Sequence, residues 1–244
     1  MKQHEAVIQV MRENGGFATL ALLNRRALAV RGSEWRTKTP YASIRRIVQD
    51  PRFFFKIRPG LWALKSERDN VLQSLFESQQ QSREKMEAFD HTYYQGLLVE
   101  LGNCKSFDTY VPSQDKNRKF LNKPLSQVAT LHEFKPFTYD SLIKRGRTID
   151  VTWFNARGFP ACFFEVEHST DIQNSLLKFL DFQDFNVEFR IVANSVRTRE
   201  FDKKLNLTAF GPISKRVKLL SYELLSDYHA KTSDVTALAD SVGL

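Results

Sequence analysis

Between Ile149 and His168 the chain reads Ile-Asp-Val-Thr-Trp-Phe, a connection Asn155-Ala156-Arg157-Gly158-Phe159-Pro160, then Ala161-Cys162-Phe163-Phe164-Glu165-Val166-Glu167-His168. Two apolar strands joined by a short turn are predicted, and they carry three carboxylates. An ionised carboxylate is buried in a sheet only when a counter-charge or a metal compensates it. Residues two apart on a strand share a face, so Glu165 and Glu167 point the same way, and Asp150 at the start of the preceding strand can converge on them. A divalent hard cation requires such a set. The competing reading is the wet face of an amphipathic strand, with Glu165 and Glu167 alternating with Phe164, Val166 and His168.

The rest of the chain narrows the choice. The 244 residues are 42% hydrophobic and 26% charged, as in a globular protein of one large or two small domains. No apolar run approaches the roughly 18 residues of a membrane span, and no apolar signal core follows the N-terminus, so a cytoplasmic protein without a membrane partner is expected. Cys104 and Cys162 lack metal-ligand spacing and read as reduced thiols. The charge is unevenly placed. Residues 1–65 hold 13 Lys and Arg against 4 Asp and Glu, a net +9, while the remainder holds 23 against 24. A compact basic segment is the electrostatic footprint of a polyanion binder.

Within that segment Ala6, Val7, Val10 and Met11 predict a first helix stopped by Asn14-Gly15-Gly16. A second is predicted over Ala18 to Ala29. Thr39-Pro40 caps a third over Tyr41 to Gln49. Phe53 to Ile57 and Leu61 to Leu64 flank Arg58-Pro59-Gly60 as a β-hairpin. Three helices and a hairpin make a winged helix-turn-helix. Thr39-Pro40 and the run Arg52-Phe53-Phe54-Phe55-Lys56-Ile57-Arg58-Pro59-Gly60-Leu61-Trp62-Ala63-Leu64 resemble the HARE-HTH winged-helix family. That resemblance implies double-stranded DNA as a partner, with the third helix in the major groove. Lys38, Thr39, Tyr41, Ser43, Arg45 and Arg46 would then face DNA, and Lys56 and Arg58 would touch phosphate. A protein-docking module is the alternative.

Residues 66–88 are polar, with Leu72, Leu75 and Phe76 at helical spacing, and predict a helical linker. The second domain, 89–244, alternates elements: a helix from Phe89 to Leu101, a strand around Lys105 to Val111, an irregular stretch to Arg147, and the two carboxylate strands. A helix over Asp171 to Phe182, a strand over Val187 to Ala193, and helices over Arg197 to Leu205 and Val217 to His229 follow. The last fifteen or so residues are expected to be poorly ordered.

Helix, three strands, helix, strand resembles the core order of the PD-(D/E)XK nuclease superfamily. Asp150 fits its aspartate and Glu165-Val166-Glu167 its (D/E)-x-K element, with Glu167 in the lysine position. The resemblance implies an α/β (α+β) fold in which a central mixed β-sheet is flanked by helices. It also implies a type II restriction-like, site-specific DNA endonuclease leaving 5′-phosphate ends. Mg²⁺, with Mn²⁺ as a substitute, would be held by Asp150, Glu165 and the Val166 carbonyl, and Glu100 is a further candidate. Glu167 would position or deprotonate the attacking water. Gln173, one turn into the next helix, could reach DNA. His168 alternates to the opposite face and reads as structural. A homodimer would match a palindromic site. The rivals are a repair or modification-dependent nuclease, and an inert DNA-binding regulator.

Overall fold

Apolar spacing decides the helices of the N-terminal region in the computed structural model, which describes residues 1–76 and 83–243, the side chain of Ser241 excepted. Helix α1 (Gln3–Glu13) buries Ala6, Val7, Val10 and Met11, and Gly15 and Gly16 at φ 82° and 89° then turn the chain. The second helix starts later than its periodicity predicts. Phe17–Thr19 form strand β1, fully buried and paired antiparallel with Leu61–Ala63. Helix α2 (Leu20–Ala27) follows, and the Leu22 N–H donates to the Thr19 hydroxyl at 3.2 Å. The reason is tertiary: Phe17, Ala18 and Thr19 satisfy a sheet edge that a helical turn would leave open. Helix α3 (Pro40–Ile47) opens with proline at its first turn, although the Thr39 side chain makes no capping bond. Strands β2 (Phe54–Arg58) and β3 (Leu61–Leu64) form the expected hairpin, with Gly60 at φ 77° and a bulge at Ile57.

Helix α4 (Arg68–Phe76) occupies the first part of the predicted linker, whose residues 77–82 lie outside the described residues. Helix α5 (Arg83–Cys104) is longer than predicted at both ends. After it come β4 (Asp108–Tyr110), the short pair β5 (Lys119–Phe120) and β6 (Lys123–Pro124), α6 (Leu125–Val128) and α7 (Asp140–Gly146). The carboxylate strands are β7 (Val151–Phe154) and β8 (Pro160–Glu167). They lead to α8 (Ile172–Leu180), β9 (Glu188–Ala193), α9 (Thr198–Leu205), β10 (Val217–Ser221) and α10 (Tyr222–Val242).

The chain divides into two compact units, Met1–Lys85 with Ser226–Leu244, and Met86–Leu225. The second unit is a mixed α/β fold around a five-stranded sheet of order β10-β9-β8-β7-β4. Strands β8, β9 and β10 are parallel, and β7 runs antiparallel to β8 and β4. Phe154, Phe163 and Phe189 of the sheet pack with Leu176, Phe179 and Phe182 of the α8 region.

Two C-terminal expectations are corrected. Val217–Ser221, predicted as helix, is an edge strand, because the short run Val-Lys-Leu-Leu-Ser fits either state and the parallel edge of β9 selects strand. The final residues, expected to be poorly ordered, continue α10 to Val242. Ala230 is buried in the first unit's core, and Asn24 Nδ2 donates to both Asp234 oxygens at 3.0 and 2.8 Å.

Candidate metal centre

Strand β8 is covered on both faces, so its acidic residues are not the wet side of an amphipathic strand. Glu165 is 2% exposed and Glu167 6%, while Asp150, just ahead of β7, is 8% exposed. Antiparallel pairing of Val151 with Phe164 sets Asp150 opposite Glu165, one residue further along the register. The Val166 N–H donates to Asp150 Oδ2 at 2.7 Å, locking the two strand ends together through a charge-assisted bond.

Helix α8 faces Glu165 and Glu167 with an otherwise apolar surface of Ile172, Leu176 and Phe179. Two polar residues break that surface. The Ser175 hydroxyl donates to Glu165 Oε2 at 3.3 Å and lies in close hydrogen-bond contact with Glu167 Oε1. Lys178 Nζ donates to Glu165 Oε2 at 2.7 Å.

Helix α5 supplies the other wall. His91 and Gln95, one turn apart, share a face. His91 Nε2 lies 3.7 Å from Asp150 Oδ1. The Gln95 amide donates to Asp115 Oδ2 and to the Asp150 carbonyl, both at 3.0 Å. Asp115, 3% exposed, also pairs with Arg118 at 3.2 Å. One ligand atom each from His91, Asp115 and Asp150 lies within 4.8 Å of the others.

The electrostatics oppose ionisation of these carboxylates. Burial, reinforced by the Asp150 charge, pushes the Glu165 carboxyl well above its ordinary value, against the pull of Lys178. Burial likewise raises Asp150, with His91 pulling the other way, and Glu167, with Ser175 opposing. Glu165 Oε1, Glu167 Oε2 and Gln95 Oε1 are buried without a hydrogen-bond partner among the described residues. Buried acceptors left unpaired are costly, and a bound cation with its waters would satisfy them. The donor set therefore fits a divalent cation.

Of the residues singled out from sequence, Asp150, Glu165 and Glu167 are brought together. Glu100 lies about 140° around α5 from Gln95, away from the face that meets the carboxylates. Gln173 accepts from Lys204 Nζ at 2.9 Å. His168 sits on the opposite side of β8, its Nδ1 2.6 Å from the Tyr222 hydroxyl. In the first unit Lys38, Thr39, Tyr41, Arg46 and Lys56 are exposed. The Ser43 hydroxyl donates to the Thr39 carbonyl, and Arg58 Nη1 to the Ile57 carbonyl. Arg45, expected to face DNA, is paired with Asp227 at 2.7 Å.

Sequence reading missed His91, Gln95, Ser175 and Lys178. The available signals were a polar pair four apart on a mostly buried helix, and a serine and lysine three apart interrupting an apolar helix face. Asp115, in an irregular segment, could border the site on the sequence alone, but no pattern fixes it there.

Fold and centre together define a mixed α/β protein with a hard-cation donor set at one end of its sheet. Residues 72–240, about two thirds of the chain, match the family described as Type II restriction enzyme NmeDI C-terminal domain. The chain belongs to that restriction-endonuclease family, and the matched span contains every residue of the centre. Comparison with curated proteins and with solved structures finds no match. Among the described residues no helix is long and apolar enough to cross a membrane.

Proposed function

We propose that this chain is a divalent-metal-dependent, site-specific DNA endonuclease of PD-(D/E)XK type, acting in the cytoplasm and guided by a winged helix in its first unit. The observation that carries the reading is the convergence of Asp150, Glu165 and Glu167 at the end of β7 and β8, with buried oxygens of Glu165 and Glu167 that lack partners among the described residues. Asp150 and Glu165 would hold Mg²⁺, with the Val166 carbonyl completing the set. His91 and Asp115, beside Asp150, add a nitrogen and an oxygen donor that suit Mn²⁺. The bound cation would supply Lewis acidity and charge neutralisation at the phosphoryl group.

The remaining work falls to side chains. Glu167, its carboxyl raised by burial, orients the attacking water and accepts its proton, and Ser175 fixes the carboxylate's rotamer. The water oxygen bonds to phosphorus, the bond from phosphorus to O3′ breaks, and O3′ takes a proton from solvent. The products are a 5′-phosphate and a 3′-hydroxyl. On the first unit, exposed Lys38, Thr39, Tyr41 and Arg46, with Ser43 on the same helix, would meet DNA along α3, and Lys56 and Arg58 would meet phosphate from the hairpin. Arg45 would contribute once released from Asp227. A homodimer would suit a palindromic site.

Digestion of a sequenced phage DNA in Mg²⁺ or Mn²⁺, with mapping of the ends, tests this. Discrete fragments with 5′-phosphate ends, absent for Asp150→Ala and Glu165→Ala, are expected. Tight DNA binding with no cleavage in either metal would instead make the chain an inert regulator.

A further inference from the structure

We infer, resting on the nuclease reading above, that Lys178 is the cation this centre presents to the scissile phosphate. Four buried carboxylates, Asp115, Asp150, Glu165 and Glu167, surround the place where an anionic phosphodiester must come. Such an approach needs positive charge on the protein as well as on the metal. Of the basic side chains touching these carboxylates among the described residues, Arg118 is held on Asp115, and His91, beside Asp150, is a candidate metal donor. Lys178 is the one in contact with Glu165.

Its geometry goes beyond that of a structural ion pair. The ammonium spends one donor on Glu165 at 2.7 Å and a second on the Thr148 carbonyl at 3.3 Å. An ammonium has three donors, and the third has no protein partner among the described residues. The lysine side chain is 25% exposed while that of Glu165 is 3% exposed, so the charge stands at the solvent edge of the buried carboxylate. A phosphate oxygen reaching the metal held by Glu165 would meet this third N–H. Strand position 167, two residues on from Glu165 and on the same face, carries a carboxylate and supplies no positive charge. Helix α8 supplies it from one turn beyond Ser175. Lys178 transfers no proton in this account; it stabilises the charge that develops on the non-bridging oxygens.

The test compares wild type with Lys178→Met and Lys178→Arg. Two readouts are needed: single-turnover cleavage, and Mn²⁺ affinity by calorimetry without DNA. Loss of one charge-stabilising donor should lower the cleavage rate of Lys178→Met by about 10²- to 10³-fold. Its Mn²⁺ affinity should equal or exceed that of wild type, because Glu165 is freed for the metal. A lysine that only braced the fold would lose both. Lys178→Arg, which keeps the charge, should keep the larger part of the activity. Lys178→Met cleaving within about threefold of wild type would overturn the inference, as would a parallel loss of Mn²⁺ binding. Should Lys178→Met fail to fold, Lys178→Arg decides alone: retained cleavage supports the charge, and abolished cleavage refutes it. A wild type that leaves DNA uncut removes the nuclease reading and this role with it. A cutting wild type with an unaffected Lys178→Met removes the lysine only.

Discussion

Glu165 has both faces of its strand covered, one carboxylate oxygen on Lys178 and the other with no partner among the described residues. Desolvation and the neighbouring Asp150 charge together outweigh the lysine, so its carboxyl titrates above the ordinary value of 4.5. A folded-state pKa above the unfolded one means that the folded chain binds more protons. The stabilisation is therefore present at low pH and is lost as pH rises from about 4.5 towards the raised folded value. Glu165→Gln removes that loss. The metal-free variant should melt above wild type at about pH 7 and close to it below about pH 4, and added Mn²⁺ should raise only the wild type. Thermal melts across pH check this. A variant that melts at or below wild type at neutral pH would show that the Lys178 pair outweighs desolvation.

At the scale of elements, α5 brings His91 and Gln95 to the centre, and it can do so because Gly96 lets Phe120 close against the helix. A β-carbon on Gly96 would fall 2.0 Å from the Phe120 ring, which is itself buried. Alanine usually favours a helix over glycine by about 1 kcal/mol. Here overpacking should win, so that Gly96→Ala destabilises by about 1–3 kcal/mol, read as a lower urea midpoint at unchanged slope. A midpoint at or above wild type would mean that the ring moves freely. The elements legible in the sequence were those with long or repeated apolar patterns: α1, α3, the hairpin, β7, β8, α8 and β9. Strands β1 and β10 were not, because segments of three to five residues with only two or three apolar side chains fit a helix as well as a strand until a sheet edge claims them. The site was legible to the same depth. Asp150, Glu165 and Glu167 lie 17 residues apart at most on adjacent strands, so pairing rules alone join them. His91, Asp115 and Lys178 reach them from a helix, a loop and another helix, and only the packed fold reveals that.

For the whole molecule, the two units carry different charge. The excess of Lys and Arg in residues 1–65 suits attraction to DNA, and the carboxylates of the second unit suit cutting it. Arg46, exposed on α3, is the side chain we propose meets DNA there, and Arg45 is tied to Asp227. If Arg46 neutralises one phosphate, Arg46→Ala should weaken DNA binding in Ca²⁺ and flatten the plot of log affinity against log salt by about 0.9. An unchanged slope would remove Arg46 from the interface. If the buried carboxylates at the ends of β7 and β8 form the centre that cuts DNA, adding Mg²⁺ to preformed protein–DNA complexes of wild type and Asp150→Ala should separate the two by strand scission. Defined cleavage by wild type is expected, with none above background for Asp150→Ala at undiminished DNA binding. Equal cleavage by the two would place the cutting centre elsewhere.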